Sequence, residues 1–269
     1  MPYLDLSSDL KLFYKIDDWT DAWVRPETIL LVHGFTETTE AWHGWISHLA
    51  RRYRVIKIDL RGFGKSGPVP KDYVYTNEGW VDDLVRVINL VAGEPVHVIG
   101  AKSGGISLVT LAVARPDLVK SLTMVCTPIL PTDATGWIEH MEKHGMRSWA
   151  RSTMRARMGS KMDPRGIDWW VELMGATAIS TAHAYLRWVG TVDIGPDLPN
   201  IKCRTLVIAN DTPRRPRRYF EQYQTRIPGS SLVMIPVDGY HPGGTDPDAC
   251  AIATLNFLAK AGAGNGTRA

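Results

Sequence analysis

Cysteine is scarce in this chain of 269 residues. Only Cys126, Cys203 and Cys250 occur, and they lie far apart. That argues against a disulfide framework and against the closely spaced thiol pairs of a zinc site, and it fits a reducing cytoplasm. Charge imbalance is also small: 31 basic against 28 acidic side chains give a formal +3, too little for a nucleic-acid or membrane surface. No apolar run reaches the length of a membrane span, and the opening MPYLDLSSDLKLFYKIDDW has no basic start followed by a long apolar stretch, so no signal peptide is expected. The glycines between Gly62 and Gly67 lack phosphate-loop spacing. No nucleotide, metal or other cofactor is expected, and no internal repeat is evident. A small molecule is the expected partner, with a homodimer left open.

Hydrophobic residues make up 44% of the chain and charged residues 22%, enough apolar material to bury a core and to exclude disorder. Tyr3 to Leu6 and Leu10 to Ile16 alternate apolar and polar residues around Ser7-Ser8-Asp9, which predicts an N-terminal hairpin. The runs Thr28 to Val32, Arg54 to Ile58, Val96 to Ile99, Ser121 to Val125, Arg204 to Ile208 and Ser231 to Ile235 are short and β-branched, as parallel strands covered on both faces are. Between them Glu40 to Ala50, Thr76 to Ala92, Ser103 to Ala114, Pro216 to Arg226 and Asp246 to Lys260 have helical spacing. Such alternation predicts an α/β fold with a doubly wound, mostly parallel sheet and active-site residues at the carboxyl ends of its strands. Residues 131–198 break the pattern. They carry Trp137, Trp149, Trp169, Trp170 and Trp188 at helical spacing and read as an inserted helical lid on a core of residues 1–130 and 199–260, with 261–269 a disordered tail.

The chemistry-bearing segment is Gly100-Ala101-Lys102-Ser103-Gly104-Gly105, a strand end passing straight into a helix. Small flanking residues suit a sharp turn whose central residue is strained and thrust above the sheet. With His33-Gly34-Phe35 after one strand, Asp59 to Ser66 after another, Ala209-Asn210-Asp211, and Gly239-Tyr240-His241-Pro242, the chain resembles the α/β-hydrolase family over nearly its whole length, especially small-lid enol-lactonases, esterases and C–C bond hydrolases. The resemblance implies that the elbow holds the nucleophile, where the family shows Gly-x-Ser-x-Gly-Gly. Here the glycine frame puts Lys102 in that slot, and Pro116 falls where the same frame requires. A frame shifted by one would offer Ser103 instead.

The resemblance further implies His241 as the catalytic histidine and Asp211 as the carboxylate that orients it, with Asp133 in reserve. The backbone N–H groups of Phe35 and Ser103 would cradle an oxyanion beside His33 and Gly34, His33 itself being structural. An amine attacking an ester would leave a stable amide, so an acyl-enzyme cycle through Lys102 is not expected. A lysine near a helix N-terminus and out of water should have a depressed pKa; its amine could then form a Schiff base with a ketone or aldehyde, move protons, or, if charged, anchor an anion. Arg147, Arg151, Arg155 and Arg157 read as the solvated face of a lid helix before an attraction for an acidic substrate, and Arg214-Arg215-Pro216-Arg217-Arg218 as a solvated helix start or an oligomer contact. The resulting expectation is a cofactor-independent enzyme acting on a small carbonyl compound through Lys102, His241 and Asp211. Two alternatives stay open: a serine esterase or lactonase using Ser103, and a ligand-binding protein without catalysis.

Overall fold

The computed structural model describes residues 2–6 and 10–262. Of the tail expected over 261–269, Ala261 and Gly262 are helical instead, and residues 263–269 and the turn of the N-terminal hairpin lie outside the described residues. Strands β1 (Tyr3–Asp5), β2 (Lys11–Asp17), β3 (Thr28–Val32), β4 (Arg54–Ile58), β5 (Val96–Ala101), β6 (Val119–Val125), β7 (Arg204–Ala209) and β8 (Ser231–Met234) form one sheet in the order β1-β2-β4-β3-β5-β6-β7-β8. The β1–β2 and β2–β4 pairs are antiparallel and all the others parallel. The order reverses at β3, whose neighbours are β4 and β5, so the segments after β3 and β5 meet at the crevice where such sheets bind ligands.

Helices α1 (His43–Leu49), α2 (Asn77–Val87), α3 (Gly104–Ala114), α4 (Trp137–His144), α5 (Met146–Met158), α6 (Pro164–Gly175), α7 (Ile179–Val189), α8 (Arg217–Gln224), α9 (Pro242–Thr245) and α10 (Pro247–Gly262) fill the connections. Two expected helices are subdivided. Glu40 to Ala50 divides between a tight turn at Thr39–Trp42 and α1, and α2 passes into a π turn at Ile88–Ala92 that Gly93 ends with a left-handed φ of 75°. The α2 start is set by Thr76, whose hydroxyl accepts from the Gly79 N–H at 3.0 Å and so satisfies one of the helix's free donors.

Residues of β3 are wholly buried and alternate between two apolar layers. Leu30 and Val32 join Trp80 and Leu84 of α2 on one face, whereas Ile29 and Leu31 join Trp45 and Leu49 of α1 and Phe257 of α10 on the other. This two-sided burial is why the parallel strands read as unbroken apolar runs instead of alternating ones.

The insertion between β6 and β7 is made of α4 to α7 and shares one continuous apolar cluster with the sheet's upper layer. Its tryptophans mostly pack the insertion down. Trp149, Trp170 and Trp188 are buried, Trp188 donating Nε1–H to Asn77 at 3.0 Å, while Trp169 is partly exposed. Only Trp137 among the five lines the cavity described below.

Candidate active site

The turn between β5 and α3 consists of Lys102 and Ser103. Lys102 has a φ of 54°, a left-handed conformation that costs a side chain with a Cβ about 1–3 kcal/mol, whereas Ser103 is already helical at −66°. The lysine therefore occupies the strained position, as the glycine-anchored frame requires. Close backbone approach explains the glycines. A Cβ on Gly104 would sit 2.3 Å from the His33 carbonyl oxygen, and one on Gly100 would sit 2.6 Å from the Cα of Gly105. Gly104→Ala should accordingly cost about 3 kcal/mol or more in urea unfolding, because two backbones cannot both retreat. A loss below about 0.5 kcal/mol would contradict the close approach.

Lys102 is buried at 8% exposure. Its Nζ donates to the Tyr240 carbonyl oxygen at 2.5 Å and lies 4.3 Å from the centre of the Tyr240 ring. Burial, followed by the nearby guanidinium groups of Arg215 and Arg157, pushes its pKa well below the ordinary lysine value. An ammonium here would be stripped of water and set among like charges, so the neutral amine is favoured.

His241 is 2% exposed, and both of its ring nitrogens are engaged. Nε2 pairs with Glu37 Oε1 at 2.7 Å, and Nδ1 accepts the Gly244 N–H at 3.1 Å. An Nδ1 that accepts fixes the proton on Nε2, which donates to the carboxylate. Glu37 is 1% exposed and its other oxygen accepts the Gly34 N–H at 3.0 Å. Burial raises the Glu37 pKa, but attraction and hydrogen bonding to His241 and the Gly34 N–H outweigh it and bring it down to about 2.

The expected Asp211–His241 pairing does not form. Asp211 is exposed and its Oδ1 accepts the Arg217 N–H at 3.0 Å, at the start of α8. Successive side chains beyond a strand face opposite ways, and it is Asn210 that turns inward. Its Nδ2 donates to the carbonyls of Val237 at 3.0 Å and Gly239 at 2.7 Å, bracing the loop that carries His241. Asp133 is exposed and caps the Thr135 N–H at 2.9 Å. Glu37 takes the carboxylate place at the histidine. Its sequence signal was faint, an acid three residues past Gly34 in a loop after a buried strand.

Phe35, Gly34, His33 and Ser103 do converge at the carboxyl ends of β3 and β5. The Phe35 N–H donates to Ser103 Oγ at 3.1 Å, and Tyr185 Oη–H donates to the same oxygen at 2.8 Å. A hydroxyl thus sits where a substrate oxyanion was expected, its own proton free. Burial raises the Tyr185 pKa and keeps that phenol protonated. Ser103 Oγ makes no bond to His241. His33 is structural, Nδ1 bonding the Gly34 carbonyl at 2.8 Å and Nε2 accepting the Leu60 N–H at 3.0 Å.

Lys102, Ser103 and Phe35 open on a cavity between sheet and insertion with about 60 Å³ of free volume, room for a few water molecules. Trp137, Tyr185, Leu186 and Val189 supply apolar walls. The charged groups that line it are Lys102, Arg157, Arg214 and Arg215, and no acidic side chain is among its lining residues. Arg214 and Arg215 therefore line the cavity, Arg215 half-buried and Arg214 also exposed to solvent; the Pro216 that follows them ends the loop and starts α8 only at Arg217. The solvated reading holds for Arg147, Arg151 and Arg155, which pair with Glu172, Asp168 and Asp238 at the surface. Arg157, one turn-phase away, is buried.

A family model described as alpha/beta hydrolase fold matches residues 27–157. An enol-lactonase of Burkholderia xenovorans LB400, 20% identical, superposes with a TM-score of 0.85 over 96% of this chain and 100% of that one. The chain has the α/β-hydrolase fold. A provisionally named carbamate hydrolase, RutD, of Caulobacter sp. strain K31 is 24% identical over 247 residues, 86% of this chain and 90% of that protein. A probable lysophospholipase of Arabidopsis thaliana, BODYGUARD 4, is 34% identical over 113 residues, 41% of this chain but only 27% of the plant protein. These three proteins carry the names of hydrolytic enzymes. Among the described residues no helix is long and apolar enough to cross a membrane, and no cluster of acidic, histidine or cysteine side chains could hold a metal.

Proposed function

We propose that this protein is a cofactor-independent enzyme that breaks the bond between the α and β carbons of a small ketone or aldehyde, using the neutral amine of Lys102. One observation carries the reading: the residue in the strained turn is a buried lysine whose amine meets the cavity with a depressed pKa and no carboxylate partner. The nitrogen lone pair adds to the carbonyl carbon, the C=O bond opens, and the oxygen leaves as water carrying the amine's two original protons, which gives an imine. Ser103 supports this step by passing a proton to and from that oxygen, its hydroxyl held by Phe35 and Tyr185. The imine, once protonated, takes up the electron pair of the breaking Cα–Cβ bond to become an enamine while Cβ leaves as a carbonyl compound or carbon dioxide; a proton added at Cα and then water release the product and the amine. His241 and Glu37 act as positioning residues that fix the loop carrying the Tyr240 carbonyl.

Sodium borohydride added with a short-chain ketone or aldehyde tests the reading. The expected product is a single reduced adduct at Lys102, located by peptide mass spectrometry and missing from Lys102→Ala; adducts spread over surface lysines, or none, would refute it. Ser103→Ala should lower trapping about 10- to 100-fold without abolishing it, as loss of one proton-transfer group does. A fluorophosphonate should leave Ser103 unlabelled, because that hydroxyl lacks a histidine base. The doubly bonded His241 also favours a second reading, ligand capture without turnover. Reversible adducts at Lys102 with no product released over many hours would select it.

A further inference from the structure

We infer that the cavity takes an anionic carbonyl compound, a short-chain oxo-carboxylate whose carboxylate is held by Arg157 with help from Arg215. The identification of an oxo compound rests on the Lys102 reading above, whereas the anion site rests on the arginines alone.

Arg157 is 4% exposed, yet its side chain makes no hydrogen bond or ion pair among the described residues, and its Nε is a buried donor without a partner. Buried guanidinium groups are almost always paired, since leaving one unmatched costs several kcal/mol. Here no hydrogen-bonding or ion-pairing group meets it among the described residues while the side chain lines a cavity, so the partner is the ligand. Glu37, whose charge Arg157 feels, is already committed to Gly34 and His241.

The position is built. Arg157 stands in the last turn of α5, and two carbonyls of that turn, Ala156 and Arg157, accept the N–H groups of Tyr240 and His241 at 3.0 Å each. Gly239 permits this contact, because a Cβ there would lie 2.5 Å from the Arg157 carbonyl oxygen. The same loop therefore fixes Arg157 and the carbonyl that holds the Lys102 amine. The Tyr240 ring gathers the cations, with Arg157 Cζ 5.2 Å and Arg214 Cζ 5.6 Å from its centre. Arg215 is braced by donating to the Cys126 carbonyl at 3.1 Å, which leaves the rest of its fork for a ligand. Guanidinium forks match a carboxylate's two oxygens, and apolar aromatic walls with a small free volume select a short carbon chain.

The test is binding of pyruvate, acetoacetate and levulinate against their methyl esters, followed by tryptophan fluorescence and calorimetry. At least one acid is expected to bind about tenfold or more tightly than its ester, since a charged hydrogen bond contributes about 1.5–3 kcal/mol. Arg157→Gln should erase that preference and Arg157→Lys should restore part of it, with thermal melting of each variant as the check on folding. Lys102→Ala should abolish borohydride trapping yet keep the preference for the acid. Equal binding of every acid and its ester by the unaltered protein would overturn the anion site, whatever the variants do. Acid preference without any trapping would retain the anion site and dispose of the imine.

Discussion

Lys102→Ala is expected to lower turnover of the cognate carbonyl compound about a thousandfold or more, the scale seen when a covalent nucleophile is removed. The fold should survive, and it should gain. A buried lysine kept neutral binds fewer protons folded than unfolded across the interval from its depressed pKa up to its ordinary 10.5. Stability then rises with pH through that interval, and at neutral pH the folded state carries a penalty. Lys102→Met, which keeps the length and removes the charge, should raise stability by about 1 kcal/mol or more at pH 7, as relieving an unfavourable functional position does. The gain should shrink as pH approaches the ordinary lysine range. Activity should follow the opposite limb, rising with pH as the amine is freed of its proton and levelling above the depressed pKa. Steady-state kinetics and urea unfolding over a common pH series read both effects.

Glu37→Ala is the second large effect, with a loss of about 2–4 kcal/mol expected because the His241 Nε2–H and the Gly34 N–H would be left buried without an acceptor. Asp211→Asn, at the exposed position that family resemblance favoured, should change stability by less than about 0.5 kcal/mol. The Glu37 carboxyl is held at about 2, below its ordinary 4.5. It therefore contributes in full above the ordinary value, and that contribution is lost as pH falls through the window between the two. Wild-type protein should lose stability steeply across that window, and Glu37→Gln should flatten the slope. Equal losses for Glu37→Ala and Asp211→Asn, or the reverse order, would restore the conventional triad geometry.

The sheet was legible because buried parallel strands leave an apolar signature that few other arrangements produce. Val96 to Ile99 and Arg204 to Ile208 extend by only one or two residues in the structure, and the strained turn falls on Lys102 where the glycines put it. Side-chain direction was not legible. Asn210 and Asp211 are neighbours with similar prospects on paper, and only the path of the chain beyond β7 turns one inward and the other to solvent. Arg157 shared a helix and a spacing with Arg147, Arg151 and Arg155, yet it alone is buried, because the Tyr240 loop closes over the end of α5. Glu37 belongs to the same class of long-range fact: it meets His241 across 204 positions of sequence.

The state of one amine decides the account. Protein labelled with carbon-13 at the lysine ε position, titrated by NMR, should show one resonance that loses its proton well before the rest, and Lys102→Met should remove that resonance alone. A Lys102 signal that keeps its proton up to the ordinary lysine value of 10.5 would contradict it.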